Sequence, residues 1–123
     1  MQQAHTSDAQ YRFGTWGPAY LLHSDHLKVG VVRLEPGQSM DNHYHAHGEE
    51  TFLVTCGELT VWLETHTPYV VPTGGIFECS RGEMHLVVNN GAESCEFYFL
   101  KTPPVEGDTI TIPWQVGQPA VER

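Results

Sequence analysis

The chain has 123 residues, 40% of them hydrophobic and 11% aromatic, enough apolar material for one core without help from disulfides. Fifteen acidic residues against six basic ones give a formal charge of −9, and no stretch clusters Lys or Arg. That balance leaves no phosphate-backbone footprint and no patch for an anionic lipid surface, so neither nucleic acid nor membrane is expected as a partner.

The apolar runs are only a few residues long, far short of a spanning helix. The first eight residues lack the basic end and apolar stretch of a signal peptide, which makes the cytoplasm the expected location. Cys56, Cys79 and Cys95 are odd in number and form no CxxC pair, the usage of free thiols in a reducing compartment. Cys56 and Cys79 sit in apolar strand-like runs, where a buried, inert thiol is expected.

In chain order, residues 1–12 read as a loop. Residues 27–34 alternate as a strand and end at the turn Glu35-Pro36-Gly37. Residues 40–47 form a second strand that meets the break at Gly48. Residues 51–56 turn through Gly57-Glu58 into residues 59–63, which reads as a hairpin. Residues 68–71 and 76–79 follow, separated by Pro72-Thr73-Gly74-Gly75. Residues 85–89 turn through Asn90-Gly91 into residues 94–100, and residues 109–112 close the series before Pro113. From about Val116 the chain reads as a frayed end. No window holds a 3.6-residue period, so the expectation is an all-β antiparallel barrel or jelly roll of nine or ten short strands with little helix. It forms one domain over 1–123, with its core at roughly 20–113.

Eight histidines are many for this length, and three of them alternate: His43, His45 and His47 would project from one face of a strand. Glu49 and Glu50 follow directly, and His85 lies on a separate strand. Imidazole with carboxylate suits a divalent transition metal better than Ca or Mg, which prefer all-oxygen shells. His5, His23, His26 and His66 fall near the terminus or in turns and read as exposed.

The stretch from Gly37 to Gly57 resembles the first motif of the cupin superfamily: Gly37, five residues, His43-Tyr44-His45, four residues, Glu50, six residues, Gly57. The second motif of that family is matched by Gly74, five residues, Ser80-Arg81-Gly82, two residues, His85, three residues, Asn89. Ser80 stands where the family usually has Pro. The resemblance implies a cupin barrel with a metal held by His43, His45, Glu50 and His85. Glu49 competes with Glu50 but would leave seven residues before Gly57. Four protein ligands leave one or two positions open if the metal takes five or six, which favours Mn, Fe or Ni over Zn or Cu.

Strand parity adds Phe52 beside Glu50 and Val87 beside His85 as an apolar wall. Arg33, the one cation inside a core-like strand, is a candidate for holding a substrate carboxylate, and Tyr44 is a candidate pocket aromatic. His47 is a candidate fifth donor, proton shuttle or rim residue, and Glu50 could leave the metal to act as a base. The family includes dioxygenases, isomerases, decarboxylases and lyases, besides non-catalytic storage proteins. The resemblance therefore implies a metal-dependent enzyme on a small oxygenated metabolite. Oxygen-dependent cleavage is favoured, with sugar or sugar-acid isomerisation or lyase chemistry next, and a non-catalytic metal- or ligand-binding module is the other class. A homodimer is also expected from the family, with residues 109–114 as the candidate contact.

Overall fold

The computed structural model describes residues 1–123. A short 3-10 turn at Thr6–Asp8 precedes ten strands. These are β1 (Gly17–His23), β2 (Lys28–Leu34), β3 (His43–His45), β4 (Glu49–Cys56) and β5 (Glu58–Leu63), then β6 (Thr67–Pro72), β7 (Ile76–Cys79), β8 (His85–Val88), β9 (Cys95–Thr102) and β10 (Thr109–Thr111). They build two five-stranded sheets, ordered β1-β2-β9-β4-β7 and β10-β3-β8-β5-β6, with every pairing antiparallel. The expected all-β jelly roll with little helix is what forms.

Alternation creates the core. On β9 Cys95, Phe97 and Phe99 are buried while their neighbours are only half covered, and on β4 Glu50, Phe52 and Val54 follow the same rule. These inner faces meet Val32, Leu34, Leu59 and Val61 in one cluster. Each large side chain buried there contributes about 1.5–3 kcal/mol relative to exposure. β8 is buried on both faces, because Leu86 and Val88 point the other way and pack on Trp114.

One expectation about a turn is corrected. β4 and β5 do not form a hairpin: β4 pairs with β7 and β9, while β5 pairs with β6 and β8. Gly57 therefore carries the chain from one sheet to the other. It does so at φ +73°, where an added Cβ would stand 2.4 Å from the Ser94 carbonyl oxygen, so only glycine passes. The Asn90-Gly91 turn likewise crosses from β8 in one sheet to β9 in the other. A hairpin that the sequence does not announce joins β5 to β6 through Glu64 and Thr65, both at positive φ without a Gly or Asn.

Three further corrections concern the ends and a thiol. β1 lies ahead of the first expected strand, and its Pro18 is tolerated because β1 is an edge strand, where Pro removes no essential ladder donor. The carboxyl-terminal stretch is not frayed. Trp114 Nε1–H donates to the Pro119 carbonyl at 3.1 Å, the Val121 N–H donates to Thr65 Oγ1 at 2.7 Å, and Arg123 pairs with Glu64 at 2.7 Å. This strap buries Trp114 within its own chain, while Ile110 of β10 stays exposed. Cys56 is exposed rather than buried, because the ladder between β4 and β9 slips a residue between Val54 and Cys56 and turns the thiol outward. Cys79 and Cys95 are buried, and all three thiols are free. No helix is long and apolar enough to cross a membrane.

Candidate metal centre

The site is assembled from both sheets. β3 is only three residues long, so its alternation turns His43 and His45 inward with Tyr44 opposite. His85 opens β8 directly across from His43 in the ladder. Glu50 comes from β4 in the facing sheet. One donor atom from each of these four residues lies within 4.8 Å of all the others. His45, Glu50 and His85 are buried and His43 is half-buried.

Glu50 Oε1 is the point of convergence. It stands 3.0 Å from His45 Nε2, 3.1 Å from His85 Nε2 and 3.9 Å from His43 Nε2. The far nitrogens of the rings are spoken for. His43 Nδ1 lies 2.6 Å from the Asp41 carbonyl oxygen and His85 Nδ1 lies 3.0 Å from that of Glu83. A carbonyl only accepts, so Nδ1 carries a proton in both rings and Nε2 is the nitrogen turned toward Glu50. His45 Nδ1 has Thr109 Oγ1 at 3.3 Å as its outer partner. The three Nε2 atoms and the Glu50 carboxylate oxygen thus converge on one point, and the outer partners hold the rings so that these nitrogens face a metal. The four side chains fit a divalent transition metal in number, chemistry and orientation.

Burial works to raise the Glu50 carboxyl, but hydrogen bonding to His43, His45 and His85 outweighs it and holds the group well below the ordinary glutamate range. Glu50 is therefore favoured as the carboxylate. Glu49 is not in the cluster. It is half-buried on the other face of β4, with Arg81 at 4.0 Å.

The cluster sits in a cavity of about 280 Å³. Phe52 and Val87 line it as expected, and the Phe52 ring centroid is 5.8 Å from that of His85. Phe97, Phe99, Val32 and Met40 continue the apolar wall. Arg33 is elsewhere: it alternates out of the wall between Val32 and Leu34 and pairs with Glu35 at 3.0 Å. Tyr44 also faces away, under the Arg123 guanidinium at 4.7 Å. His47 is exposed, because β3 ends at His45 and the chain bends before the alternation can continue. Its backbone N–H, not its ring, is engaged, donating to Asp108 Oδ1 at 2.8 Å.

Sequence reasoning missed Arg12, Lys101 and Thr109, which all line the cavity. For Lys101 a signal existed, since it continues the inward series Cys95, Phe97, Phe99 on β9. The others needed the sheet order.

The family model for the cupin domain matches residues 30–101. No curated protein matches the chain in sequence. Among solved structures, an uncharacterized conserved protein with a double-stranded β-helix domain from Klebsiella pneumoniae is 25% identical, with a TM-score of 0.74 over 84% of this chain and 91% of that one. A cupin family protein with the same fold from Methanocaldococcus jannaschii is also 25% identical, with a TM-score of 0.68 over 72% and 81%. The polyketide cyclase RemF from Streptomyces resistomycificus shares the fold at 17% identity, with a TM-score of 0.77 over 94% and 87%. The family match spans more than half of the 123 residues and contains all four converging donors, and on that ground the chain belongs to the cupin family.

Proposed function

We propose that this protein is a metal-dependent enzyme acting on a small oxygenated molecule with an apolar body. The observation that carries the reading is the convergence of three imidazole nitrogens and one carboxylate oxygen within 4.8 Å in an apolar-walled cavity. His43, His45, Glu50 and His85 hold the metal, and Mn, Fe or Ni suits the set best because four protein ligands leave it coordination positions for substrate. The metal supplies Lewis acidity toward substrate oxygens and, if it is redox-active, access to dioxygen.

The chain's own residues do the rest. Phe52, Val87, Phe97 and Phe99 exclude water and seat the apolar body. Glu50 would be the candidate base toward a carbon next to a carbonyl if it were released from the metal. Thr109 and the carbonyls of Asp41 and Glu83 keep the imidazoles aimed.

Among reactions, oxidative cleavage of an enolisable or phenolic substrate suits this wall better than sugar isomerisation. A sugar buries little apolar surface, whereas Phe52, Val87, Phe97 and Phe99 present an apolar wall that a flat or hydrocarbon body covers. The non-catalytic reading stays in play through the test. Protein purified without chelators is expected to carry about one metal per chain, and His45→Ala and His85→Ala are expected to lose it. Full metal content in both variants would sink the site. Oxygen uptake is then screened with diketones, catechols and sugar acids, and silence with all three classes shifts the reading to a binding module.

A further inference from the structure

The chain has only six lysines and arginines among fifteen carboxylates, and they divide into two groups. Arg33, Arg81 and Arg123 each have a glutamate within 4.0 Å. Arg12, Lys28 and Lys101 have none, and their side chains make no hydrogen bond. All three unpaired cations collect at the metal cavity. Arg12 and Lys101 line it, and Lys28 lines a cleft of about 550 Å³ that shares Tyr20, Lys101 and Thr109 with it.

The register makes the clustering costly. Lys28 and Lys101 are direct partners across β2 and β9, and Lys101 is in turn the partner of Glu50 across β9 and β4. The three therefore share one face, the inner one. Like charges directly opposite on adjacent strands are destabilising. Both ammonium groups lean on the Tyr20 ring, at 4.7 and 5.7 Å from its centroid, and Lys101 is 5.4 Å from that of Phe99. Nearby carboxylates do not answer them. Glu50 is taken by the imidazoles, Asp108 accepts from the His47 and Gly48 N–H groups, and Glu49 faces Arg81. Asp41 and Glu106 line the two openings, yet neither comes within 4.0 Å of the three cations. An acidic protein that could have paired these cations leaves them bare beside its cavity.

We propose that the substrate is a small organic carboxylate: its apolar body lies against Phe52, Phe97 and Phe99, and its charged group is held by Lys101 and Lys28 with Arg12. This rests on the metal-site reading above but adds a charge requirement that the metal ligands do not supply. A carboxylate between the two lysines offsets their repulsion and forms charge-assisted hydrogen bonds in a partly desolvated place. Arg33, the sequence candidate for this role, is replaced in it by cations that the sheet register brings in.

The test is calorimetric titration of the intact chain, zinc-loaded and after chelation, with 4-hydroxybenzoate and its neutral isostere 4-hydroxybenzamide. The acid is expected to bind at least about tenfold more tightly than the amide in both forms, and only the acid's affinity should fall as salt rises. The variant K28Q/K101Q is expected to lose that preference with metal content unchanged and with its thermal midpoint raised, since a like-charge pair is gone. Arg33→Gln should keep the preference. Equal affinity for acid and amide in the unaltered chain, binding of neither, or a preference that survives K28Q/K101Q overturns the proposal. A zinc-loaded chain with no preference would end this inference and leave the metal site standing. A preference in a chain that never takes up metal would do the reverse.

Discussion

The residue with most leverage on the site that is not itself one of the four donors is Thr109. Its hydroxyl is the sole partner of His45 Nδ1, at 3.3 Å, whereas the other two rings are aimed by backbone carbonyls that no substitution removes. Thr109→Val keeps the shape and deletes the partner. Metal affinity is expected to fall by about 10–100-fold with the fold intact, as read by competition against a chelating dye; unchanged affinity would show that Thr109 does not aim His45. The thiols give a second residue-scale prediction. Burial pushes Cys95 up to about 11 and raises Cys79 further, while Cys56 is exposed. One thiol is expected to react with a disulfide reagent in the native protein at pH 8, and three after unfolding. The sign of the pH effect follows. Above the ordinary thiol range the unfolded chain releases protons that the folded chain retains, so stability falls as pH rises from about 9 toward 11. A urea midpoint that holds level between pH 8 and 10 would contradict the burial of these two groups. Four donors were legible in the sequence because their spacing is a local property of two motifs. Lys28 was not, since its place depends on which strand lies beside which.

Elements show the same division more sharply. The inward face of β9 could be read from alternation alone, and most strands fall where their apolar runs lie. The partner of each strand could not. Gly57-Glu58 and Asn90-Gly91 carry the same turn chemistry as a hairpin, yet both cross between sheets, because the inner faces of β4 and β5 bury more by facing each other than by lying side by side. β1 lies ahead of the first expected strand, and one of its neighbours explains another feature of the wall. Gly30 on β2 leaves the hollow into which the Phe99 ring fits, since an added Cβ would stand 2.2 Å from Phe99 Cζ. Gly30→Ala is expected to cost about 1–3 kcal/mol by displacing that ring, measured by urea unfolding. β3 is, with β10, the shortest strand and carries two ligands. It is pinned by Asp108 at the entry to β10, whose carboxylate accepts the His47 and Gly48 N–H groups at 2.8 Å each while its carbonyl accepts from Ala46 N–H. Asp108→Ala leaves two N–H groups without partners. It is expected to cost about 1–3 kcal/mol and to weaken metal binding with it. Loss of stability without loss of metal affinity would show that β3 holds its ligands independently of this loop.

At the scale of the whole molecule the four donors act as a cross-link. His43, His45 and His85 belong to one sheet and Glu50 to the other, so a metal bound by all four ties the two layers together at the end of the core. The unfolded chain holds no such arrangement, since His85 lies 35 residues from Glu50. Metal binding is then folding free energy, and a ligand at about a thousand times its dissociation constant adds about 4 kcal/mol. In a chain of this size that is on the order of 10–20 °C in midpoint. Calorimetry of the chelated protein, titrated in turn with Mn, Ni and Zn and with Fe under anaerobic conditions, is expected to show that rise for at least one of them. The His85→Ala variant should show little of it, because it keeps the sheets but loses the ligand that faces Glu50 most closely after His45. A midpoint indifferent to every metal in the unaltered chain would mean that the two sheets are not held by a shared ion.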